Sequence, residues 1–259
     1  MRASGRLQQR IWRLRILLRK SGLLRSLVRR IRAIGPNSRD RHLRNEVGFW
    51  RRWLASEGLA WPDDYVRRFD TEAPVQDHLA AVIDRLDGTS VDILDVGAGP
   101  VTVVGKIHPS KKVAITATDI LAPEYNRMLD GFGLKPPVRT IYAQSEKLRA
   151  RVGGRQFDIV HAQNTLDHSD DPFAALEEML ALTRPGGFIV LLHEENEGSN
   201  ELYNALHQWD FSSEDGRFLI AGPGPNGARR DVTEMMAGRA EVECSNHLGE
   251  VLVVMRKLA

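Results

Sequence analysis

A single cysteine, Cys244, is all that 259 residues provide, which excludes an intramolecular disulfide framework and a cysteine-based zinc finger. Long apolar runs are missing too. Nothing approaches the roughly 18 residues of a membrane span, and Ile16-Leu17-Leu18 is too short for the apolar region of a signal peptide. The expectation is therefore a chain that is not integral to a membrane. No internal repeat or low-complexity tract occurs. Acidic residues are absent from the first stretch: residues 1–34 hold eleven of the 36 Lys and Arg and no Asp or Glu. The remainder carries 25 bases against 34 acids, so a formal net charge of +2 conceals a cationic tip on an acidic body.

What is present suits a full core: 42% apolar and 27% charged residues are ordinary for a folded chain of this length. In the tip, Leu7, Ile11, Leu14, Leu17, Leu18, Leu24, Leu27, Val28 and Ile31 recur at the step of an amphipathic helix, with arginines between them. Gly35-Pro36-Asn37 ends the pattern. A basic amphipathic helix on an anionic membrane surface fits residues 1–34. Packing of its apolar stripe on the body or a second subunit, RNA phosphate and an organellar transit peptide are the other readings. The expected organisation is a helical extension over residues 1–36, a helical substrate-side segment over 37–88 and a larger domain over 89–259.

Helices are expected over Asn45–Leu54, where Trp50 and Trp53 read as core, and over His78–Leu86. From Val91 the texture changes. Short β-rich runs at Val91–Val96, Val113–Thr118, Val138–Ala143, Phe157–Ala162 and Phe188–Leu192 alternate with helical stretches, the clearest being Asp171–Thr183. Strands that are almost wholly apolar argue a parallel sheet covered on both faces. Ala240–Cys244 and Glu250–Met255 read as a closing antiparallel hairpin.

In such a sheet ligands bind beyond the carboxyl ends of the strands. Gly97-Ala98-Gly99-Pro100 occupies that place after the first strand, and its glycines let backbone approach a ligand closely. No Gly-Lys-Ser/Thr follows, so it is not a phosphate-binding P-loop, and Val103 stands where a dinucleotide fingerprint has its third glycine. Asp119 ends the second strand, where a carboxylate can accept hydrogen bonds from both ribose hydroxyls or act as an ordinary strand-end residue.

Leu94–Pro100, Asp119-Ile120, Ala143-Gln144-Ser145-Glu146, Phe157-Asp158-Ile159-Val160 and Leu182–Gly187 together resemble the ordered motifs of the class I S-adenosylmethionine-dependent methyltransferases. The resemblance covers residues 88–195 and extends to the terminal hairpin. It implies a Rossmann-like, seven-stranded, mostly parallel sheet with helices on both faces and an antiparallel terminal strand. It also implies S-adenosylmethionine as cofactor, with Asp95, Gly97, Ala98 and Gly99 beside its methionine part, Asp119 and Ile120 at the ribose and Gln144 and Ser145 flanking the adenine. Gln163 and Asn164 would border the methyl-transfer site. Relatives often carry an acid where Gln144 stands.

Methyl transfer to a hydroxyl calls for a general base. His168, in the loop after the fourth strand, is the first candidate, its near-neutral pKa suiting the task; lining the pocket or capping the next helix is its plainer role. His193 is the second. His193, Glu194 and His207 would make a divalent-metal site in an alternative reading, but their spacing matches no compact ligand motif, and no metal is expected. The clusters at His193–Glu197 and Leu206–Asp210 resemble a bacterial branch of these methyltransferases often found beside surface-polysaccharide enzymes. Residues 211–235, with Gly222–Gly227 and Arg229-Arg230, read as a substrate lid able to clamp an anion or as a plain surface loop; Trp209 would stack on a sugar or be buried.

The resulting expectation is a cytoplasmic O-methyltransferase acting on a glycan or lipid-linked glycan precursor, held peripherally at the inner membrane face by residues 1–34. An RNA or small-molecule methyltransferase and a non-catalytic scaffold are the alternatives. The loop after the fourth strand lacks the Asn/Asp-Pro-Pro-aromatic pattern of base-amine methylation, and the acidic body disfavours nucleic acid.

Overall fold

The computed structural model describes residues 39–222 and 228–259. The expected amphipathic extension over residues 1–36 lies outside them, as do residues 223–227 of the Gly/Pro-rich stretch. Three helices come first: α1 (Arg39–Ala55), α2 (Pro62–Phe69) and α3 (Asp77–Ile83). The expected helices at Asn45–Leu54 and His78–Leu86 are both present, the first longer and the second shorter. The intervening α2, begun by Pro62 at its first turn, was not anticipated. Trp53 packs at a tilt against Tyr65 of α2 at 5.1 Å, and Arg68 lies over the Trp50 and Trp53 rings.

Five parallel strands follow: β1 (Ser90–Val96), β2 (Lys112–Asp119), β3 (Ile141–Tyr142), β4 (Phe157–Gln163) and β5 (Thr183–Glu194). Between them stand α4 (Ala122–Gly131), α5 (Leu148–Val152) and α6 (Pro172–Leu182); a short α7 (Glu197–Asn200) follows β5. Asp171 caps α6 by accepting from the Phe173 and Ala174 amides, and Pro172 starts its first turn. Beyond a second, smaller sheet and α8 (Val232–Met235), β9 (Ala240–His247) and β10 (Glu250–Lys257) form the closing hairpin. Leu248 and Gly249 both have positive φ in its two-residue turn.

The seven-stranded sheet runs β3-β2-β1-β4-β5-β10-β9, with β10 antiparallel to β5. This is the Rossmann-like sheet expected from the sequence, with the hairpin on the edge. Strand alternation explains why the strands are apolar throughout. Leu94, Val96, Val160, Ala162, Ile189 and Leu191 pack toward α6 in one core, while Val91, Ile93, Ile159, Phe188 and Val190 pack toward Leu79, Val82 and Ile83 of α3 in the other. A third cluster joins α1 and α2 to α4 through Trp53, Leu54, Tyr125, Met128 and Leu129. It holds the helical segment over the end of the sheet where β1 and β2 finish.

The region read as a lid or a plain surface loop instead contains regular strands, part of them buried. β6 (Asp210–Glu214), β7 (Arg217–Ala221) and β8 (Arg229–Asp231) form a three-stranded antiparallel sheet. Phe211, Phe218 and Ile220 are buried in the α6-side core. Asp215 and Gly216 both have positive φ between β6 and β7, a two-residue hairpin turn that Asp-Gly favours. Among the described residues no helix is long and apolar enough to cross a membrane.

Candidate functional site

The strand order reverses at β1, which has β2 on one side and β4 on the other, and loops leaving these strands in opposite directions open a crevice. A cleft of about 200 Å³ lies there. Its floor is the turn after β1. The Gly97 and Ala98 amides both donate to the Thr118 carbonyl, at 2.8 and 2.9 Å, which folds the turn back over β2. Gly97 has φ +70°, and a Cβ there would stand 1.9 Å from Thr165 Oγ1; Gly99 has φ +66°, with the Trp50 ring 3.1 Å from where its Cβ would be. Both positions need glycine, for the backbone angle and for the close approach.

Asp119, at the end of β2, faces the same turn. Its Oδ2 accepts from the Gly99 amide at 3.0 Å and its Oδ1 from the Leu121 amide at 2.8 Å. Each oxygen keeps a further lone pair for a ligand. Burial raises this carboxyl, the two amide bonds oppose it, and nearby Glu46 and Asp95 add to the rise, leaving it at about 6.

Gly97, Ala98, Gly99, Asp119, Ile120, Gln144, Ser145, Gln163, Asn164 and His168 all line the cleft, as does Asp95. Several are already engaged. The Asp95 carboxylate, 1% exposed, is held by the Thr102 hydroxyl and by His161 Nδ1 at 2.8 Å. Gln163 accepts from the Gln76 amide at 2.9 Å, and Asn164, at φ +46°, accepts from the Glu194 amide at 3.0 Å. His193 is not at the cleft. It is 2% exposed, packed against the Phe211 ring at 4.6 Å, and burial lowers its pKa to about 4.

Sequence reasoning missed part of the lining. Glu46 and Trp50 come from α1, Arg68 from α2, Tyr125 from α4, and Glu146 from the turn after β3. Trp50, read as core, donates from Nε1 to Glu46 at 2.8 Å in the cleft wall. Glu146 follows Gln144 and Ser145, and its Oε1 accepts the Asp170 amide at 2.8 Å while its Oε2 accepts the Ser145 hydroxyl at 3.0 Å. The one available signal for Glu46 and Trp50 was their i, i+4 spacing, which puts both on one helix face.

At the cleft rim a compact cluster assembles. His168 Nε2 stands 3.1 Å from His207 Nδ1 and 3.3 Å from Asp167 Oδ2, and His207 Nδ1 is 2.8 Å from that same oxygen. Burial lowers the His168 imidazole despite Asp167 beside it. For His207, burial is outweighed by the hydrogen bond and charge of Asp167 and by Glu197, which lift it to about 9. Burial alone would raise Asp167, but the surrounding imidazoles hold it below the usual carboxylate range. Forty residues separate Asp167 from His207, so no local pattern signals the pair. The trio expected as a metal alternative, His193, Glu194 and His207, does not come together; His207 instead joins Asp167 and His168.

The model of a family described as "Methyltransferase domain" matches residues 67–220, more than half of the chain. The chain belongs to that family. It is a methyltransferase with the seven-stranded sheet that the sequence motifs implied. Several solved structures are similar to it. An S-adenosylmethionine-dependent methyltransferase from Clostridium acetobutylicum shares 14% identity over 70% of this chain and 89% of its own, with a TM-score of 0.43. An rRNA methylase from Streptococcus thermophilus shares 16% over 71% and 93%, at 0.40. The CMeT domain of the citrinin polyketide synthase shares 18% over 70% of this chain and 50% of that one, at 0.49.

In the methyltransferase's small sheet, Arg229 pairs with Glu214 and Arg230 lies 4.5 Å over the Phe173 ring. Trp209 donates to the Ser169 carbonyl at 3.0 Å and packs edge-on against Phe173. None of the three lines the cleft.

Proposed function

We propose that this methyltransferase uses S-adenosylmethionine to methylate a hydroxyl group, with a glycan or lipid-linked glycan precursor as the acceptor class. One observation carries the cofactor reading: the Gly97–Gly99 turn and the Asp119 carboxylate converge on one cleft, joined by the Gly99–Asp119 hydrogen bond. The residues fit such a group. The turn presents bare backbone where any Cβ would intrude, and Asp119 retains lone pairs for a pair of ribose hydroxyls. Glu46, Asp95, Asp119 and Glu146 line the cleft against two cations, Arg39 and Arg68, an acidic excess that favours a cationic sulfonium. When bound, that cofactor supplies an already activated methyl group.

The chain's own task is then to align the acceptor and manage its proton. His168 is the member of the Asp167–His168–His207 cluster that lines the cleft, and the cluster supports an acceptor that must lose a proton, as a hydroxyl must. The glycan assignment draws on the likeness of the His193–Glu197 and Leu206–Asp210 stretches to polysaccharide-associated relatives. The cation-rich residues 1–34 support placement at an anionic inner-membrane surface.

The test is incubation of the protein with methyl-labelled S-adenosylmethionine and fractionated cell envelope. Label in a glycan or glycolipid fraction is expected; label only in RNA or in soluble small molecules overturns the acceptor, and absence of cofactor binding by calorimetry overturns the whole reading. His168→Ala is expected to lower turnover by roughly 100-fold or more with cofactor affinity unchanged. Full turnover in that variant removes His168 from the reaction.

A further inference from the structure

The Asp167–His168–His207 cluster crowds several polar groups around one ring nitrogen. His207 Nδ1 faces Asp167 Oδ2 at 2.8 Å, His168 Nε2 at 3.1 Å and Glu197 Oε1 at 3.5 Å. One proton on that nitrogen serves one of the three. The second Asp167 oxygen, Oδ1, is buried in a residue only 2% exposed and has no hydrogen-bond partner among the described residues. Buried carboxylate oxygens are rarely left so, while Oδ2 is the oxygen that His168 and His207 share. His193, whose Nδ1 lies 3.9 Å from Oδ1, likewise makes no hydrogen bond through either ring nitrogen.

The distances match a coordination sphere. Ligands bonded at about 2.0–2.1 Å stand about 2.9 Å apart at a right angle and about 3.3 Å apart at the tetrahedral angle. The three pairs formed by Asp167 Oδ2, His168 Nε2 and His207 Nδ1 span 2.8 to 3.3 Å. Two imidazoles and a carboxylate suit a divalent first-row transition cation and do not suit the oxygen-preferring Mg²⁺ or Ca²⁺. Glu197 stands beside His207 as a further carboxylate.

We infer that Asp167, His168 and His207 form a binding site for a divalent transition-metal ion, with zinc as the reference occupant, at the rim of the cleft. His168 lines that cleft, so an oxygen of the acceptor completes the coordination, and a bound cation lowers the pKa of a coordinated hydroxyl. That role toward the acceptor rests on the methyl-transfer reading; binding of the ion does not. With the cation present His168 is a ligand, and the cluster assists loss of the acceptor's proton through the metal.

The experiment is titration of chelator-treated, untagged full-length protein with Co²⁺, read by its visible d–d absorption, followed by displacement with Zn²⁺. One Co²⁺ per chain is expected, with bands typical of nitrogen and oxygen ligands, displaced by Zn²⁺. His207→Gln and Asp167→Asn are expected to weaken binding at least about tenfold. Circular dichroism and calorimetric binding of S-adenosylmethionine check that each variant is folded; because Asp167 is buried, the partly exposed His207 provides the variant that decides. No Co²⁺ bound by folded wild type, or undiminished binding in folded His207→Gln, overturns the site. If Co²⁺ binds as expected but no fraction of the envelope takes up methyl label, the metal site stands and the acceptor assignment falls.

Discussion

Asp119 shows how one side chain ties stability to function. Its carboxyl is raised from 3.8 to about 6, chiefly by burial. The folded state therefore holds its proton more tightly than the unfolded chain does. For this group stability is greatest below about pH 4 and declines as the pH rises to about 6, a loss on the order of 2–3 kcal/mol. Asp119→Asn should flatten that decline in denaturant melts of the ligand-free protein. Cofactor affinity has the opposite sign, because accepting from ribose hydroxyls requires the ionised form; calorimetry should show it weakening below about pH 6 and largely lost at every pH in Asp119→Ala. Gly97 is constrained differently. Gly97→Ala combines a left-handed backbone angle with overlap against Thr165, so a loss of about 1–3 kcal/mol in chemical denaturation is expected. Asp119 and the two glycines were legible because their function depends on position relative to strand ends. Glu46, Trp50 and the meeting of His207 with His168 were not, since they depend on the docking of elements that no local pattern encodes.

Among the elements, those with strong local punctuation matched their sequence signals. Helix α6 begins where Asp171-Pro172 says it should, and Asp171→Ala is expected to destabilise the protein by about 1 kcal/mol, read as a lowered denaturation midpoint with unchanged slope. The terminal hairpin was recognised from two apolar runs around Gly249. The β6–β7 hairpin carries an equally good signal in Asp215-Gly216, but the neighbouring glycines and prolines drew the reading toward a loop. Strand β3 shrank from an expected six residues to Ile141–Tyr142, because an edge strand has one neighbour to define it. Helix α2 is short, and its stability comes from Tyr65 and Phe69 packing into the aromatic cluster, a tertiary effect that propensity does not report.

For the molecule as a whole, the charge division is the dominant long-range feature. An acidic body is repelled by an anionic surface, so the proposed association would come through residues 1–34 and would be salt-sensitive. Flotation with vesicles containing phosphatidylserine should carry the full chain at low ionic strength and lose it in high salt, while residues 35–259 should stay unbound under both conditions. Binding of the shorter chain, or indifference of the full chain to salt, would remove the membrane role of the cationic segment.

The alternation of strands and helices from β1 to β5, the two-faced burial of the sheet and the positions of the glycine turn and Asp119 were written in the sequence, because each follows from periodicity or spacing within a few tens of residues. The folded chain alone decided that α1 walls the cleft, that residues 210–221 enter the core and that Asp167, His168 and His207 meet. Those contacts join segments as much as 131 residues apart, and their partners are chosen by how whole layers pack.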